Sequence, residues 1–142
     1  MTYTYEYPRP AVTTDCIIIR GKEHREVLLI ERKHEPFMGN WALPGGFVEI
    51  DEDLLEGAIR ELSEETNLTG IFLQQFRTYG KPGRDPRGRT VSVVYYGTLD
   101  NDEKPMAGDD AANLQWFGID NLPPLAFDHA EILDDFYRFM DF

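Results

Sequence analysis

The sequence predicts an α/β fold in which a mixed β-sheet is packed between helices. Short segments rich in β-branched and aromatic residues recur along the chain, as is typical of strands. Two longer segments place their apolar residues at helical spacing. The 142 residues are the usual length of one domain, so we expect 1–142 to fold as a single domain around one core.

The first third of the chain predicts a β-hairpin followed by a short extended segment. Residues 12–20 are apolar and β-branched, and we expect them to form a buried strand. A polar turn at 21–25 separates this strand from 27–32, the second strand of the hairpin. Residues 41–43 are extended, and we expect Pro44-Gly45-Gly46 to end that segment.

A helix is predicted from Asp51 or Glu52 to about Thr66. Asp51 is a good N-cap, and acidic residues in the first turn suit the helix dipole. The apolar residues of this segment form one stripe at i, i+4 spacing, which we expect to face the core. The stripe consists of Leu54, Leu55, Ala58, Ile59 and Leu62.

The second half of the chain predicts three strands and a C-terminal helix. The strands are expected at 71–79, 90–99 and 114–119. A loop rich in Gly, Pro and Arg joins the first two strands, and an acidic loop at 101–113 precedes the third. Residues 128–140 have the spacing of an amphipathic helix.

Charge and composition limit the classes of partner. The net charge is −12, from 14 basic and 26 acidic residues, which argues against binding to nucleic-acid backbones. No run approaches the roughly 20 apolar residues of a membrane span, and the N-terminus lacks the pattern of a signal peptide. The lone Cys16 agrees with a reducing compartment. We therefore expect a cytoplasmic protein without nucleic-acid or membrane partners.

The stretch from Glu49 to Glu65 contains eight carboxylates, and Arg60 is its only basic residue. On a helix, Glu61, Glu64 and Glu65 fall within an arc of roughly 100° that borders the apolar stripe. Three acids so close repel one another unless positive charge lies among them, and Mg²⁺ prefers such oxygen ligands. A solvated acidic face is the alternative interpretation.

This stretch resembles the Nudix box, the motif G-x5-E-x7-R-E-U-x-E-E-x-G-U in which U is apolar. Gly46 is its first glycine, Glu52 its first acid, and residues 60–62 and 64–65 supply R-E-U and E-E. Asn67 stands where the motif has its second glycine. That position resembles a helix C′ residue in the left-handed region, where Asn is the next-best choice.

The resemblance implies a Nudix-type α/β/α sandwich that hydrolyses a nucleoside diphosphate linked to another group, with Mg²⁺ or Mn²⁺ as cofactor. Arg60 would orient the carboxylates through charge-assisted hydrogen bonds, and Glu52 would support the helix start or contact a metal. Glu64 is the first candidate for the general base. The implied metal ligands are Gly46, Glu61, Glu64 and Glu65.

Three segments outside the box bear on the substrate. The loop GRDPRGR contains Arg84 and Arg89, whose guanidinium groups suit phosphate, although a tight structural turn is the alternative. The loop AGDDAA contains Asp109 and Asp110, which could bind substrate, supply the general base instead of Glu64, or form a solvated turn. In LAFDHAEIL, Asp128 could be only an N-cap.

Together these three segments resemble Nudix proteins associated with ADP-ribose hydrolysis and the Nudix half of regulators that sense NAD-derived nucleotides. Such regulators carry a winged-helix domain, for which 142 residues are too few, so hydrolysis of ADP-ribose to AMP and ribose 5-phosphate is favoured. A nucleoside triphosphate or a sugar nucleotide as substrate, and a non-catalytic nucleotide sensor, remain the alternatives.

The N-terminus MTYTYEYPRP carries three alternating tyrosines. We expect an ordinary edge strand there. Stacking of the tyrosines on a nucleotide base, or packing across a homodimer, are the other interpretations.

Overall fold

The computed structural model describes residues 2–108 and 111–142. Over this part of the chain it contains seven strands and two helices. In chain order these are β1 (Ala11–Arg20), β2 (Glu26–Arg32), β3 (Trp41–Ala42), β4 (Gly45–Phe47), α1 (Leu54–Thr66), β5 (Gln74–Tyr79), β6 (Thr90–Thr98), β7 (Ala111–Gly118) and α2 (His129–Met140).

Strand β1 organises the sheet. It pairs in parallel with β6 along nine residues, from Ala11 opposite Thr90 to Ile19 opposite Thr98. On its other side it pairs antiparallel with β2 and β4. Strand β5 adds to β6, and β3 and β7 add to β2, all antiparallel. The mixed sheet and the hairpin predicted from the sequence are therefore confirmed.

The side chains of β1 alternate between two apolar layers. Cys16 and Ile18 belong to a core cluster that includes Ala58 and Leu62 of α1. Ile17 belongs to a second cluster, on the opposite face, that includes residues of α2. Because successive strand residues point to opposite faces, a continuous apolar run is what a strand covered on both sides requires. The predicted sandwich of a sheet between helices is thus confirmed.

The start of α1 differs from the prediction. The N-cap is Asp53, whose Oδ1 accepts a hydrogen bond of 2.7 Å from the backbone N–H of Leu54, so the prediction of Asp51 was wrong. Residues 51 and 52 remain outside the helix because the Glu52 carboxylate accepts from the backbone N–H of Glu49. The predicted left-handed end is confirmed, since Asn67 has φ 60° and ψ 15°.

The predicted apolar stripe of α1 was wrong at Leu55 and Ile59, which are 41% and 46% exposed. The helix faces the sheet through a narrower set of residues that includes Gly57, Ala58 and Leu62. Small residues there allow the helix to approach the sheet, so the outer part of the stripe remains at the surface.

Several strand predictions also needed correction, among them β7, which begins at Ala111 rather than at 114. Residues 45–47 form β4, although the Pro-Gly-Gly sequence predicted the end of an extended segment. Strand β5 begins at Gln74 rather than at 71. Residues 2–10 contain no strand, so the predicted N-terminal edge strand was wrong. Neither α1 nor α2 is long and apolar enough to cross a membrane, which is the result for the described residues.

Candidate active site

A cavity of about 400 Å³ opens where β1, β4, α1 and the start of α2 meet. Its lining combines acidic side chains with basic ones, and two phenylalanines. The acidic residues are Asp15, Glu35, Glu49, Glu61, Glu65 and Asp85, and the lysine and arginine residues are Arg32, Lys33, Arg60, Arg84 and Arg87. Both kinds of charge in one cavity suit a polyanionic ligand that is held partly through cations.

Arg60 is the centre of the acidic side. Its guanidinium group contacts both oxygens of Glu52, at 2.9 Å from Nε and 2.7 Å from Nη2. Its Nη1 donates to Glu61 at 2.8 Å and to Glu64 at 3.2 Å, and Nη2 donates to the Phe47 carbonyl. One arginine on α1 therefore joins the helix carboxylates to the preceding loop and to β4.

These contacts shift the pKa values of both partners. The hydrogen bonds from Arg60, followed by that from the Glu49 backbone N–H, lower the pKa of Glu52 to about 2. The hydrogen bonds to Glu52 raise the pKa of the Arg60 guanidinium above its usual value. Both groups are therefore charged throughout the physiological range, and the ion pair is permanent there.

Glycine is required at positions 45 and 46 because neighbouring atoms leave no room for a Cβ atom. A Cβ atom on Gly46 would lie 2.5 Å from the carboxyl carbon of Glu61. A Cβ atom on Gly45 would lie 2.2 Å from the Thr14 carbonyl oxygen and 2.3 Å from Oδ1 of Asp15. The two glycines thus leave room for the carboxylates of Glu61 and Asp15 beside β4.

The donors on this side fit a divalent cation by their chemistry. Carboxylate oxygens and a backbone carbonyl are the ligands that Mg²⁺ prefers. Glu61 and the buried Glu65 line the cavity beside Gly46, whereas Glu64 is 57% exposed and lies outside the lining. Across the described ranges, no three acidic, His or Cys side chains are gathered closely enough to hold a metal ion. In this structure Nη1 of Arg60 supplies the positive charge between Glu61 and Glu64, at 2.8 Å from the first carboxylate and 3.2 Å from the second.

Of the two arginines predicted to bind substrate, only Arg84 lines the cavity. Its side chain is 5% exposed, and its Nε and Nη2 pair with both oxygens of Asp128 at 2.8 and 2.6 Å. Its Nη1 donates to Ser92 at 2.7 Å. Asp128 makes no side-chain capping hydrogen bond, so this ion pair takes the place of the N-cap interaction considered from the sequence. Arg89 instead donates to the Gly80 carbonyl.

The other predicted substrate residues, Asp109 and Asp110, lie outside the described residues. The structure adds cavity residues that the sequence did not single out. They are Asp15, Arg32, Phe127 and His129, whereas Arg87, which also lines the cavity, belongs to the arginine-rich loop noted in the sequence. Asp15 carried a usable signal, since a carboxylate within an apolar strand requires a buried partner or a function. Arg32 and His129 carried none, because each becomes part of the site only through tertiary packing.

Two of these residues titrate far from their usual ranges. Burial raises the pKa of Asp15 to about 7, against the opposing charge of Arg84. Burial lowers the pKa of His129 to about 4. Nδ1 of His129 accepts a hydrogen bond of 3.0 Å from the backbone N–H of Leu43. A neutral imidazole with Nδ1 as acceptor carries its proton on Nε2, so His129 is a hydrogen-bond donor at this cavity.

Comparison with known proteins places this geometry in a family. Residues 9–136 match the NUDIX domain. The chain is 44% identical over 132 residues to an ADP-ribose pyrophosphatase of Methanocaldococcus jannaschii, covering 93% of this chain and 76% of that protein. It is 33% identical to the ADPR responsive transcriptional repressor NtrR of Acinetobacter baylyi, covering 90% of this chain but only 53% of the repressor.

A solved structure agrees with this match. The NUDIX domain of Shewanella oneidensis NrtR, crystallised with ADP ribose, superposes with a TM-score of 0.86 at 28% identity, covering 94% of this chain and 90% of that one. A MutT/nudix family protein from Enterococcus faecalis gives the same TM-score at 33% identity, covering 99% of this chain and 66% of that one. With the family match extending over most of its length, the chain belongs to the NUDIX domain family.

Proposed function

We propose that this protein is a Mg²⁺-dependent Nudix pyrophosphohydrolase that converts ADP-ribose and water to AMP and ribose 5-phosphate. The observation that carries the proposal is the cavity in which Glu61 and Glu65, beside the Arg60 ion pairs, share the lining with several arginines. A diphosphate needs both metal-binding carboxylates and cationic side chains to be held and attacked. The similarity to an ADP-ribose pyrophosphatase selects the substrate.

In this proposal some residues bind the cation, and Arg60 positions the carboxylates. Glu61, Glu65 and the Gly46 carbonyl would hold the cation from the cavity side, and Glu64 would complete the ligand set from the exposed side. A bound divalent cation would neutralise the diphosphate and lower the pKa of a bound water. Arg60 would hold the carboxylates in place, as its contacts with Glu61 and Glu64 support.

Glu64 is the proposed general base, with Asp109 or Asp110 as the alternative. Its side chain is 57% exposed, which leaves it accessible to the water that a general base must contact. Arg84 enters the proposal as a substrate contact from the cavity wall. Arg89 is the weaker proposal, because its contact is to the Gly80 carbonyl outside that wall.

Two other functions have specific support. A Bacillus subtilis relative that is 28% identical is named a putative 8-oxo-dGTP diphosphatase, which favours a triphosphate substrate. An Acinetobacter baylyi relative that is 33% identical is named an ADPR responsive transcriptional repressor, which favours a nucleotide sensor. Both alternatives use the same cavity, so they differ from the main proposal in products rather than in location.

A product analysis separates the three functions. The protein is incubated with Mg²⁺ and ADP-ribose, a nucleoside triphosphate or a sugar nucleotide, and the products are resolved by chromatography. We expect AMP and ribose 5-phosphate from ADP-ribose, with kcat/KM at least about tenfold above the other substrates. Stabilisation by ADP-ribose without any product would instead identify a sensor, and preferential cleavage of the triphosphate would reassign the substrate.

We also propose a homodimer that uses the N-terminal segment. Tyr3, Tyr5 and Tyr7 are exposed, and the rings of Tyr3 and Tyr5 stack at 6.4 Å. An exposed aromatic arm of this kind is suited to burial against a partner. Light scattering after size exclusion should give twice the chain mass for the parent and the chain mass for a variant with serine at the three positions. A monomeric parent would remove this part of the proposal.

A further inference from the structure

Two arginines of the cavity converge on one aromatic ring. The guanidinium carbon of Arg32, at the end of β2, lies 5.0 Å from the centroid of the Phe127 ring. The guanidinium carbon of Arg87, in the loop between β5 and β6, lies 5.3 Å from the same centroid. Both distances fall within the range of cation–π contact, and all three residues line the cavity. We call this group the arginine clamp.

The clamp gathers two positive charges, and of its two arginines only Arg87 has an ion-pair partner among the described residues, the carboxylate of Asp85. Within the described residues, Arg32 forms no ion pair, and its Nε donates to the Pro36 carbonyl at 2.7 Å. Burial, followed by the charge of Arg87, lowers the pKa of Arg32, against the opposing charges of Glu65, Asp85 and Asp15. Two like charges brought together in a cavity repel unless an anion lies between them.

Arg87 is oriented so that one edge remains available. Its Nε and Nη2 pair with the two oxygens of the buried Asp85 at 3.1 and 2.8 Å. The Phe47 ring covers it as well, at 4.8 Å from the guanidinium carbon. These contacts use Nε and Nη2, and no hydrogen bond joins Nη1 to another described residue, so Nη1 is the group that can bind a ligand. A guanidinium fixed in this way loses little freedom when it binds an anion.

The backbone beneath the clamp is held in an unfavourable conformation. Phe127 has φ 52° and Phe37 has φ 62°, and the centroids of their rings lie 4.9 Å apart. Bulky residues seldom adopt positive φ, and such strain persists mainly where a functional site requires it. The strained pair places the Phe127 ring where both arginines can stack on it.

We propose that the arginine clamp of Arg32, Phe127 and Arg87 is a phosphate-binding subsite that takes one phosphate of the substrate's diphosphate. The choice of diphosphate rests on the proposed function, whereas the preference for a phosphate group rests on the clamp itself. Planar guanidinium groups match the geometry of phosphate oxygens, and stacking on Phe127 keeps both groups in place. The clamp then acts in binding, and the carboxylates on the acidic side of the cavity act in hydrolysis.

The first test needs neither metal nor activity. Thermal melting is measured in EDTA at fixed ionic strength, with pyrophosphate, AMP or ribose 5-phosphate as the probe. Saturating pyrophosphate should raise the Tm of the parent by about 3 °C or more, because it binds only the folded protein. Arg32→Gln and Arg87→Gln should lose most of that rise. A larger effect of AMP or ribose 5-phosphate than of pyrophosphate would place a product phosphate, rather than the intact diphosphate, in the clamp.

Arg20→Gln is the matched control. Arg20 also stacks on an aromatic ring, at 4.3 Å from the Trp116 centroid, and pairs with a carboxylate, but it lies outside the cavity. Its variant should keep the full anion-dependent rise in Tm. Arg32→Lys retains the charge without the planar group, so it should give an intermediate rise and also serves if Arg32→Gln folds poorly.

Steady-state kinetics provide the second test. Arg32→Gln and Arg87→Gln should each raise the KM for ADP-ribose about tenfold and change kcat by less than about threefold, as loss of uniform binding predicts. If the parent cleaves no nucleoside diphosphate, the proposed function fails, and the metal-free melting experiment still tests the clamp. If the parent shows no rise in Tm with any of the anions, or the Arg32 and Arg87 variants behave like Arg20→Gln in both tests, the clamp is not a phosphate subsite.

Discussion

Arg60 and Arg84 each hold carboxylates near the same cavity, but they do so in different surroundings. Arg60 is 24% exposed and shares its donors among Glu52, Glu61 and Glu64. The side chain of Arg84 is 5% exposed and pairs with the single carboxylate of Asp128. A partly exposed arginine that shares its donors among several carboxylates can position all of them, whereas a buried bidentate pair serves one carboxylate and is costly to break. We therefore expect substitution of Arg60 to lower mainly activity, and substitution of Arg84 to lower stability in addition to any effect on substrate binding.

The largest effect on stability is expected at the buried pair. Arg84→Ala leaves the Asp128 carboxylate without its partner, so we expect a loss of about 3 kcal/mol in the free energy of unfolding. For a domain of this size that corresponds to a fall in Tm of roughly 6–12 °C, measured by calorimetry. The double variant Arg84→Met with Asp128→Leu should recover much of the loss, because it leaves no unpaired charge.

The exposed ion pair between Arg138 and Asp134 is the control for this prediction. Arg138→Ala should change Tm by no more than about 2 °C, as is usual for surface pairs. Equal losses in Arg84→Ala and Arg138→Ala would mean that burial does not distinguish Arg84, and the comparison with Arg60 would lose its basis.

The largest effects on turnover are expected on α1. Glu64→Gln should reduce kcat at least about a hundredfold, the usual scale for a lost general base. Arg60→Gln should reduce kcat about 10- to 100-fold, because it acts by positioning Glu61 and Glu64. Both variants should melt closer to the parent than Arg84→Ala does. Near-normal turnover in Glu64→Gln would move the general base to Asp109 or Asp110.

Substitution of His129 tests how the stability of the protein depends on pH. Its pKa falls from about 6.5 in the unfolded chain to about 4 in the fold, so the unfolded state binds more protons between these values. The stability that neutral His129 provides is present above pH 6.5 and is lost as the pH falls towards 4. Asp15, with a pKa raised to about 7, changes stability in the opposite direction over this range. The quantity to measure is therefore the difference in Tm between parent and variant at each pH.

Two substitutions at His129 separate its two nitrogens. In His129→Asn the amide oxygen can replace Nδ1 as acceptor for the Leu43 N–H, but the Nε2 donor is lost. In His129→Gln the amide nitrogen can replace the Nε2 donor, but the Nδ1 acceptor is lost. If the donor binds substrate, the asparagine variant should have the higher KM and the glutamine variant the lower Tm. A lower Tm in both variants with unchanged KM would make His129 structural only.

The smallest effect is expected at the end of α1. Asn67 already occupies the left-handed region that glycine enters more freely, and its Nδ2 donates to the Met106 carbonyl at 2.7 Å. Asn67→Gly removes the cost of the left-handed conformation but loses that hydrogen bond. The free energy of unfolding should therefore change by no more than about 1 kcal/mol. Asn67→Val should clearly lower Tm. An unchanged Tm in the valine variant would contradict the left-handed cap.

The same contrast explains which features could be predicted from the sequence. The contacts of Arg60 with carboxylates lie within one helix and the loop before it, so the motif was enough to suggest them, whereas its contact with the Phe47 carbonyl of β4 was not predicted. The pair of Arg84 with Asp128, and the clamp of Arg32, Phe127 and Arg87, join residues far apart in the chain and depend on the folded sheet. Strand β4 was missed because its Gly-Gly sequence is typical of a turn, although here it admits the carboxylates of Glu61 and Asp15.

The central claim is that the acidic side of the cavity binds the catalytic cation. Thermal melting of the parent, Glu61→Gln and Glu65→Gln, with and without Mg²⁺ at fixed ionic strength, tests it most directly. Saturating Mg²⁺, at about 100 times Kd, should stabilise the parent by about 2.7 kcal/mol per independent site, and more at pH 8 than at pH 5, where protons compete. Both variants should lose most of this gain, whereas Glu23→Gln, in the turn between β1 and β2, should keep it. If Mg²⁺ stabilises the parent no more than matched ionic strength does, even with ADP-ribose present, the acidic face of α1 is a solvated surface and not a metal site.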